Sequence, residues 1–152
     1  MKISLHGYHA SSSTWRVKNM LAFKKILYVK DEVDIIDRLD HLHKNFHELS
    51  SNQKVPCLEI EDEGADGQAL VQYMSESVSI CEYIEEQFRR PSMMPQTPFQ
   101  RQKVREFCGI ISTSVQPLHS IGTLRKLESD FGVTDPKHWC QYFIESGLKN
   151  CH

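Results

Sequence analysis

The chain has 152 residues, with 18 basic and 20 acidic side chains and a formal net charge of −2. This length suits one domain or two small ones that fold without disulfides or metals. The balanced charge excludes the strong positive field by which a protein attracts nucleic acid or an acidic membrane. Because no apolar run reaches the length of a signal peptide or a membrane span, we expect neither segment and no membrane partner.

The cysteines are spread along the chain, with neither a Cys-x-x-Cys pair nor the spacing of a structural zinc site. They are Cys57, Cys81, Cys108, Cys140 and Cys151. Free, scattered thiols are typical of a reducing compartment. The sequence therefore predicts a soluble cytoplasmic protein.

The first third of the chain predicts a strand, a helix and a second strand. Ile3–Leu5 is a short apolar run, and apolar residues recur at helical spacing from about Thr14 to Lys25. Residues 26–35 are rich in β-branched and aromatic side chains, which favours a second strand. A strand, helix and strand in succession predict a βαβ unit with parallel strands.

The next elements complete an α/β domain. Residues 39–49 indicate a short surface helix, and residues 54–60 a third strand. A hairpin loop over 61–68 leads into a returning strand over 69–74. A helix then opens at Glu76-Ser77, with Ser77 expected as its N-cap. The order β-α-β-α-β-β-α is the thioredoxin-like arrangement.

A change of composition follows this domain. Residues 89–98 contain three prolines and predict a linker, since proline interrupts helices and central strands. Beyond it, residues 102–114 and 138–148 show helical spacing of apolar side chains. We therefore predict a thioredoxin-like domain over 1–88, the linker, and a partial all-helical domain over 99–152.

Four hydroxyl side chains, Ser11 to Thr14, lie where the first strand gives way to the first helix. Hydroxyl and N–H donors at the positive end of a helix favour an anion, such as a thiolate or a phosphate. The simpler alternative is a helix N-cap, for which Ser and Thr are preferred. Both interpretations stay open on these residues alone.

Several motifs together carry a family resemblance. They are Ser11-Ser12-Ser13-Thr14-Trp15-Arg16-Val17, Val55-Pro56, Glu76-Ser77, Cys81-Glu82-Tyr83-Ile84-Glu85-Glu86, Met94-Pro95-Gln96 and Gln116-Pro117-Leu118. Over nearly the whole chain the sequence resembles the zeta-class glutathione transferases, the maleylacetoacetate isomerase family. It departs from the family pattern at Ser13, where a cysteine is usual. Smaller departures are Lys18 for arginine, Cys57 for threonine and Glu76 for glutamine.

The Ser run suits the thiol end of glutathione. A thiol becomes nucleophilic when donors stabilise its anion, and Ser11 is the candidate donor at the helix N-terminus. Ser12 and Ser13 are expected to supply further donors, so all three are the predicted catalytic residues. Thr14, Trp15 and Arg16 complete the motif. We expect Trp15 to pack and Arg16 to orient a neighbour or form an ion pair.

Two further motifs suit the peptide part of glutathione. In thioredoxin-like folds a cis proline turns the preceding backbone outward, so Val55 is expected to pair with the cysteinyl backbone across a cis Val55-Pro56 bond. Ser77 is expected to bind the γ-glutamyl carboxylate at a helix N-terminus, and Glu76 to accept from the γ-glutamyl ammonium.

The resemblance also implies three more polar contacts. His41 falls where the family has a glutamine that touches glutathione, and Gln116 and Ser120 fall where family members line the site from the helical domain. For Gln116 and Ser120 the alternative is a helix kinked at Pro117. The histidines of residues 41–47 lack the pattern of a metal site, so we predict no metal.

The resemblance implies glutathione-dependent cis–trans isomerisation of the maleylacetoacetate type, as in tyrosine and phenylalanine catabolism. Transfer of glutathione to small acids, including α-haloacids, is implied as well. Because the family continues through further helices, a truncated, non-catalytic glutathione-binding protein is the alternative. Thiol–disulfide exchange is disfavoured, since the Ser run contains no cysteine. A homodimer stays open, and no nucleic-acid partner is expected.

Overall fold

The computed structural model describes residues 1–64 and 67–149. The chain divides into two compact units, Met1–Met93 and a second that begins at Met94. The first combines a sheet with helices, and the second is helical. The predicted fold class, a thioredoxin-like α/β domain followed by a helical region, is confirmed.

A four-stranded mixed sheet organises the first unit. Its strands are β1 (Lys2–Gly7), β2 (Val29–Glu32), β3 (Cys57–Glu63) and β4 (Ala69–Met74), in the order β2-β1-β3-β4. β1 pairs in parallel with β2, and β3 pairs antiparallel with both β1 and β4. The predicted βαβ unit and the hairpin are both confirmed. β2 is shorter than the predicted strand over 26–35, and β3 extends three residues beyond the predicted end.

Three helices belong to the first unit, two between strands and one after β4. They are α1 (Ser12–Phe23), α2 (Lys44–Leu49) and α3 (Ser77–Gln87). A single 3₁₀ turn, Asp40–Leu42, precedes α2. The predicted order β-α-β-α-β-β-α is therefore confirmed, with α1 starting earlier than Thr14 because Ser11 caps it.

The core of the first unit lies between the sheet and helices α1 and α3. It is formed by alternate residues of β1 and β3 and by one face of each helix: Ile3, Leu5, Val17, Met20, Leu21, Leu58, Ile60, Ile80 and Ile84. Val17 and Leu21 are fully buried, as the apolar spacing predicts. Phe23, another apolar residue of α1, is 46% exposed. Positions 17, 20, 21 and 24 share a helical face, and position 23 lies off it.

The buried face of α1 ends in a lysine. Lys24 is only 6% exposed, and its Nζ contacts Glu85 Oε2 at 2.7 Å. It also donates to the carbonyl oxygens of Phe88 at 2.5 Å and Pro91 at 2.9 Å. A buried ammonium is tolerated only where it is paired and hydrogen-bonded. All three partners of Lys24 lie in α3 or in the segment directly after it. Lys24 therefore fixes the path of the chain as it leaves α3.

The second unit is built from helices of several kinds. α4 (Pro98–Gly109) runs into a π-helical segment (Ile110–Val115) and a 3₁₀ segment (Gln116–His119), followed by α5 (Ile121–Phe131) and α6 (Lys137–Lys149). The break in regular helix before Pro117 agrees with the kink expected there, since proline has no N–H for the helical ladder. Helix α5 was not predicted. None of the described helices has the length and apolarity required to cross a membrane.

Helix α6 packs against the π-helical segment. A Cβ at Gly147 would come within 2.0 Å of Val115 Cγ2, so only glycine allows this approach. Trp139 donates its indole N–H to the Leu118 carbonyl at 2.7 Å and packs against Phe143, with ring centroids 4.8 Å apart and ring planes tilted by 58°. The apolar side chains of α6 are covered unequally, since Trp139 and Phe143 are half-buried while Tyr142 is 62% exposed.

We predict that Lys24→Met lowers the free energy of unfolding by about 3 kcal/mol, because it leaves the Glu85 carboxylate without its cation. Denaturant unfolding measures this change. The double variant Lys24→Met/Glu85→Gln should cost less than the sum of the two single variants by about 1 kcal/mol or more. Additive costs would show that the two side chains do not interact.

The same pair predicts a pH dependence. Burial raises the pKa of Glu85, but hydrogen bonds from Lys24, Ser92 and the Met93 N–H outweigh it and hold that pKa below its usual 4.5. A lowered folded-state pKa contributes stability above pH 4.5, and this contribution is lost as the pH falls through the folded-state value. Acid titration of unfolding should therefore show a shallower loss in Glu85→Gln, and an unchanged slope would contradict the assignment.

Candidate functional site

The first turn of α1 presents the Ser run. Ser11 has extended backbone angles and caps α1, and its Oγ accepts from the Thr14 N–H at 3.2 Å. Its own N–H donates to the Tyr8 carbonyl at 3.1 Å, which closes a turn over residues 8–11. The cap uses a lone pair of the Ser11 hydroxyl and leaves its proton available to an anion. Capping and anion binding are thus compatible at this residue.

The rest of the run divides between surface and core. Ser12 is exposed and Ser13 half-buried, and as the first two residues of α1 their N–H groups have no intrahelical acceptor. Thr14 is fully buried against Gly7, where a Cβ would come within 2.4 Å of Thr14 Cγ2. Its side chain therefore packs α1 onto β1, and the donors of this turn come from the three serines.

The next two residues of the motif tie α1 to its surroundings. Trp15 is 52% exposed, and its indole N–H donates to the His9 carbonyl at 2.7 Å. This residue holds a loop and is not the packed side chain that the sequence predicts. Arg16 donates from Nη1 to the Ser77 Oγ at 2.5 Å, so it orients a neighbour, one of the two roles expected for it.

The N-terminus of α3 combines a strained residue with a buried hydroxyl. Glu76 has φ +66° and ψ 104°, a left-handed backbone that is unfavourable for any residue with a Cβ. Its Oε1 accepts from Asn52 Nδ2 at 2.7 Å. Strain of this kind is concentrated at functional sites. Asn52, which sequence reasoning did not single out, thus fixes a predicted binding residue.

Ser77 does not have its predicted position. Glu76 occupies the N-cap position, and Ser77 is the first residue of α3 with only 6% of its surface exposed. The prediction of Ser77 as the N-cap was therefore wrong. The Ser77 oxygen accepts from Arg16, which directs the hydroxyl proton elsewhere and makes Ser77 a donor.

The Val55–Pro56 peptide bond is cis, as the sequence predicts. Strand β3 begins at the next residue, Cys57. Among the residues that the structure describes, no hydrogen bond uses the N–H or C=O of Val55. The backbone at Val55 is therefore free to pair with an extended peptide.

Sheet register brings these segments to one edge. Cys57 lies opposite His6 in the β1–β3 ladder, so Val55 lies beside the end of β1 and the loop that leads to Ser11. Met74, at the end of β4, lies opposite Leu58, so α3 begins at the same edge. Arg16 then joins α1 to α3 directly. The Ser run, Val55 and the Glu76-Ser77 pair therefore share the edge at the carboxyl end of β1.

Cys57 occupies a position where the resemblance implies threonine, and its thiol is not available as a nucleophile. The thiol is fully buried and donates to the Leu49 carbonyl at 3.1 Å. Burial raises its pKa to about 11. A buried, protonated thiol does not attack a disulfide, so this residue gives no support to thiol–disulfide exchange.

The remaining predicted contacts are in the 3₁₀ turn before α2 and in the second unit. His41 is half-buried in the 3₁₀ turn before α2. Gln116 opens the 3₁₀ segment, and Ser120 caps α5 by accepting from the Thr123 N–H at 3.4 Å. Within residues 1–64 and 67–149, no cluster of His, Cys, Asp or Glu side chains is arranged to hold a metal ion.

Comparison with protein families gives a match over residues 5–92 to the model described as "Glutathione S-transferase, N-terminal domain". Among curated proteins, the chain is 34% identical over 147 residues to a probable maleylacetoacetate isomerase 1 of Drosophila melanogaster, covering 95% of this chain and 54% of that protein. It is 33% identical over 145 residues to the maleylacetoacetate isomerase of Mus musculus, covering 95% of this chain and 61% of that protein. The chain thus spans somewhat over half the length of these relatives.

Solved structures give the same result. A bacterial maleyl pyruvate isomerase, described as a zeta-class glutathione S-transferase, superposes with a TM-score of 0.83 at 28% identity, covering 96% of this chain and 65% of that one. The maleylacetoacetate isomerase of Anaeromyxobacter dehalogenans 2CP-1, with glutathione bound in its active site, superposes with a TM-score of 0.81 at 29% identity, covering 99% and 66%. The chain belongs to the glutathione S-transferase family, and within it resembles the zeta-class maleylacetoacetate isomerases.

Proposed function

We propose that this chain binds glutathione and acts as a glutathione-dependent cis–trans isomerase of the maleylacetoacetate type. The observation that carries the proposal is the Arg16–Ser77 hydrogen bond, because it links the N-termini of the two helices that hold the predicted contacts. The names of the relatives support the reaction type. The bound glutathione in a solved relative supports the cofactor.

The donors and acceptors at this edge fit a tripeptide thiol. Ser77 offers a hydroxyl proton and an N–H at a helix N-terminus to the γ-glutamyl carboxylate, and Glu76 keeps Oε2 for the γ-glutamyl ammonium. The unpaired backbone of Val55 suits the cysteinyl residue, in the manner of an added strand. His41 belongs to the same proposed set of contacts, and the roles of Gln116 and Ser120 stay what the family resemblance implies.

Glutathione supplies a nucleophilic sulfur that adds to the conjugated double bond of the substrate and leaves after rotation about that bond. Ser11 directs its hydroxyl proton toward the sulfur, and the N–H groups of Ser12 and Ser13 add the partial positive charge of the helix N-terminus. Ser13, which replaces the usual cysteine, keeps a hydrogen-bonding group there. These residues stabilise charge that develops on the sulfur.

The finer assignments belong to this proposal as well. They are a small dicarboxylic or α-haloacid substrate, a role in tyrosine and phenylalanine catabolism, a cytoplasmic location and a homodimer. The domain boundaries at 1–88, 89–98 and 99–152 are proposed too. The non-catalytic glutathione-binding alternative differs in one measurable respect, since it binds glutathione without turnover.

Ser11→Ala should lower glutathione-dependent isomerisation of maleylacetoacetate by about 100-fold, because it removes a donor to the sulfur. It should also cost about 1 kcal/mol of stability through loss of the cap. Ser11→Thr, which keeps both the hydroxyl and the cap, is the control and should retain most of the activity. Binding of glutathione by the unaltered chain without turnover would replace the isomerase proposal with the non-catalytic alternative.

Ser77→Ala should weaken glutathione binding about tenfold in isothermal titration calorimetry, since it removes a hydrogen bond to a charged carboxylate. Ser79→Ala is the matched control, because Ser79 is an exposed residue of the same helix. Equal affinities of the two variants would show that Ser77 does not contact the ligand.

Glu76→Gly should weaken glutathione binding while keeping or raising stability by up to about 1 kcal/mol, because glycine relieves the positive φ. Lys25→Gly is the control, since Lys25 also has a positive φ, of 56°, and plays no part in the site. It should raise stability alone. If Glu76→Gly binds glutathione as tightly as the unaltered chain, Glu76 is strained for a reason other than this ligand.

A further inference from the structure

The loop between β1 and α1 holds one exposed histidine in a fixed position. The His9 N–H donates to Glu32 Oε1 at 2.7 Å, and His9 Nδ1 contacts the same oxygen at 2.8 Å. The His9 carbonyl accepts from the Trp15 indole at 2.7 Å. Yet 66% of the side chain is exposed. Exposed loop side chains are usually mobile, so a residue held by one ring nitrogen and by both of its backbone polar groups indicates that the orientation of the ring matters.

The partner of this histidine is a permanent carboxylate. A hydrogen bond from Lys30 is the main cause that lowers the pKa of Glu32 to about 2. Burial raises this pKa, but the hydrogen bonds from the His9 N–H and the His9 ring lower it further. Its second oxygen pairs with Lys30 Nζ at 2.8 Å. Because Glu32 is an acceptor only, the His9 Nδ1 must carry the proton. The neutral imidazole then has its free lone pair on Nε2, as in carboxylate–histidine pairs that act as general bases.

This His9–Glu32 pair lies beside the Ser run. Tyr8 and Ser11 close a hydrogen-bonded turn, so His9 is a central residue of the turn that leads into the α1 cap. Glu32 lies opposite Gly7 in the β1–β2 ladder, at the carboxyl ends of two parallel strands. Ligands of open α/β sheets bind outside these ends. The pair therefore belongs to the same sheet edge as Ser11.

The surroundings leave His9 as the proton acceptor of this loop. The Tyr8 ring lies 4.4 Å from the His9 ring between centroids. Burial, with the charges of Asp34, Asp37 and Glu32, raises the pKa of Tyr8 above 10.0, so its phenol stays protonated. Lys18 lies over the Trp15 ring at 5.4 Å, and Lys30 is occupied by Glu32.

We propose that His9 Nε2 accepts the thiol proton of glutathione whose sulfur lies at Ser11, with Glu32 as the positioning residue that fixes the imidazole. The S–H bond breaks, its electron pair stays on sulfur, and the proton forms an N–H bond on the ring. The imidazolium is balanced by the Glu32 carboxylate and passes its proton to water from the exposed ring. This inference rests on the proposed glutathione site and names the group that ionises the thiol.

The test measures ionisation of bound glutathione directly. The ultraviolet absorbance of the thiolate is titrated against pH with saturating glutathione, in the unaltered chain and in His9→Asn, whose amide N–H can still donate to Glu32. Loss of the neighbouring imidazolium should raise the pKa of the bound thiol by about one or more. Glu32→Gln should also raise the pKa of the bound thiol, because the carboxylate no longer fixes the orientation of the His9 imidazole.

Two controls make the result specific. His47→Asn makes the same substitution at an exposed histidine of α2 and should leave the thiol pKa unchanged. Circular dichroism checks folding, and His9→Gln replaces His9→Asn if the latter is unfolded. An unchanged thiol pKa in a folded His9 variant that binds glutathione would overturn this proposal alone. Absence of glutathione binding by the unaltered chain in calorimetry would overturn it together with the proposed function.

Discussion

The arrangement of the site depends on the contact between α1 and α3. Both helices lie on the sheet through one core, in which Val17 and Leu21 of α1 meet Ile80 and Ile84 of α3. At the N-terminal end of this contact, Arg16 crosses to Ser77. Apolar burial thus holds the two helices together, while a single guanidinium sets how their N-terminal turns face each other. A change in the core would displace the proposed thiol contacts and the proposed carboxylate contacts relative to one another.

Ser11 shows why the structural and functional interpretations of a hydroxyl run need not compete. A serine that caps a helix accepts from a backbone N–H, and its own proton is left over. The same cap orients that proton at the positive end of the helix dipole. The Ser77 oxygen also accepts a hydrogen bond within the protein, in this case from the Arg16 side chain. In both residues, satisfaction of the oxygen within the protein turns the hydroxyl into a donor for a ligand.

Local sequence predicted the features that depend on short-range patterns. The order of strands and helices, the parallel βαβ unit and the cis proline all follow from apolar spacing, turn residues and motif context.

Features that depend on distant pairs were missed. Ser77 was expected to cap its helix because nothing near it in sequence indicates Arg16, which is 61 residues away. The pairing of His9 with Glu32 likewise requires the β1–β2 register, although the position of His9 just before the Ser run is visible in the sequence. Helix α5 was overlooked, although its apolar residues Ile121, Leu124 and Leu127 recur at helical spacing and are half-buried.

The central claim is that one edge of the sheet binds glutathione through three separate segments. Titration of glutathione into the isotopically labelled chain, followed by the backbone amide resonances, tests it most directly. We predict concerted shifts with a single dissociation constant at residues 11–13, at Val55 and at residues 76–77. Shifts confined to other parts of the chain, or no saturable shifts at these three segments, would contradict it.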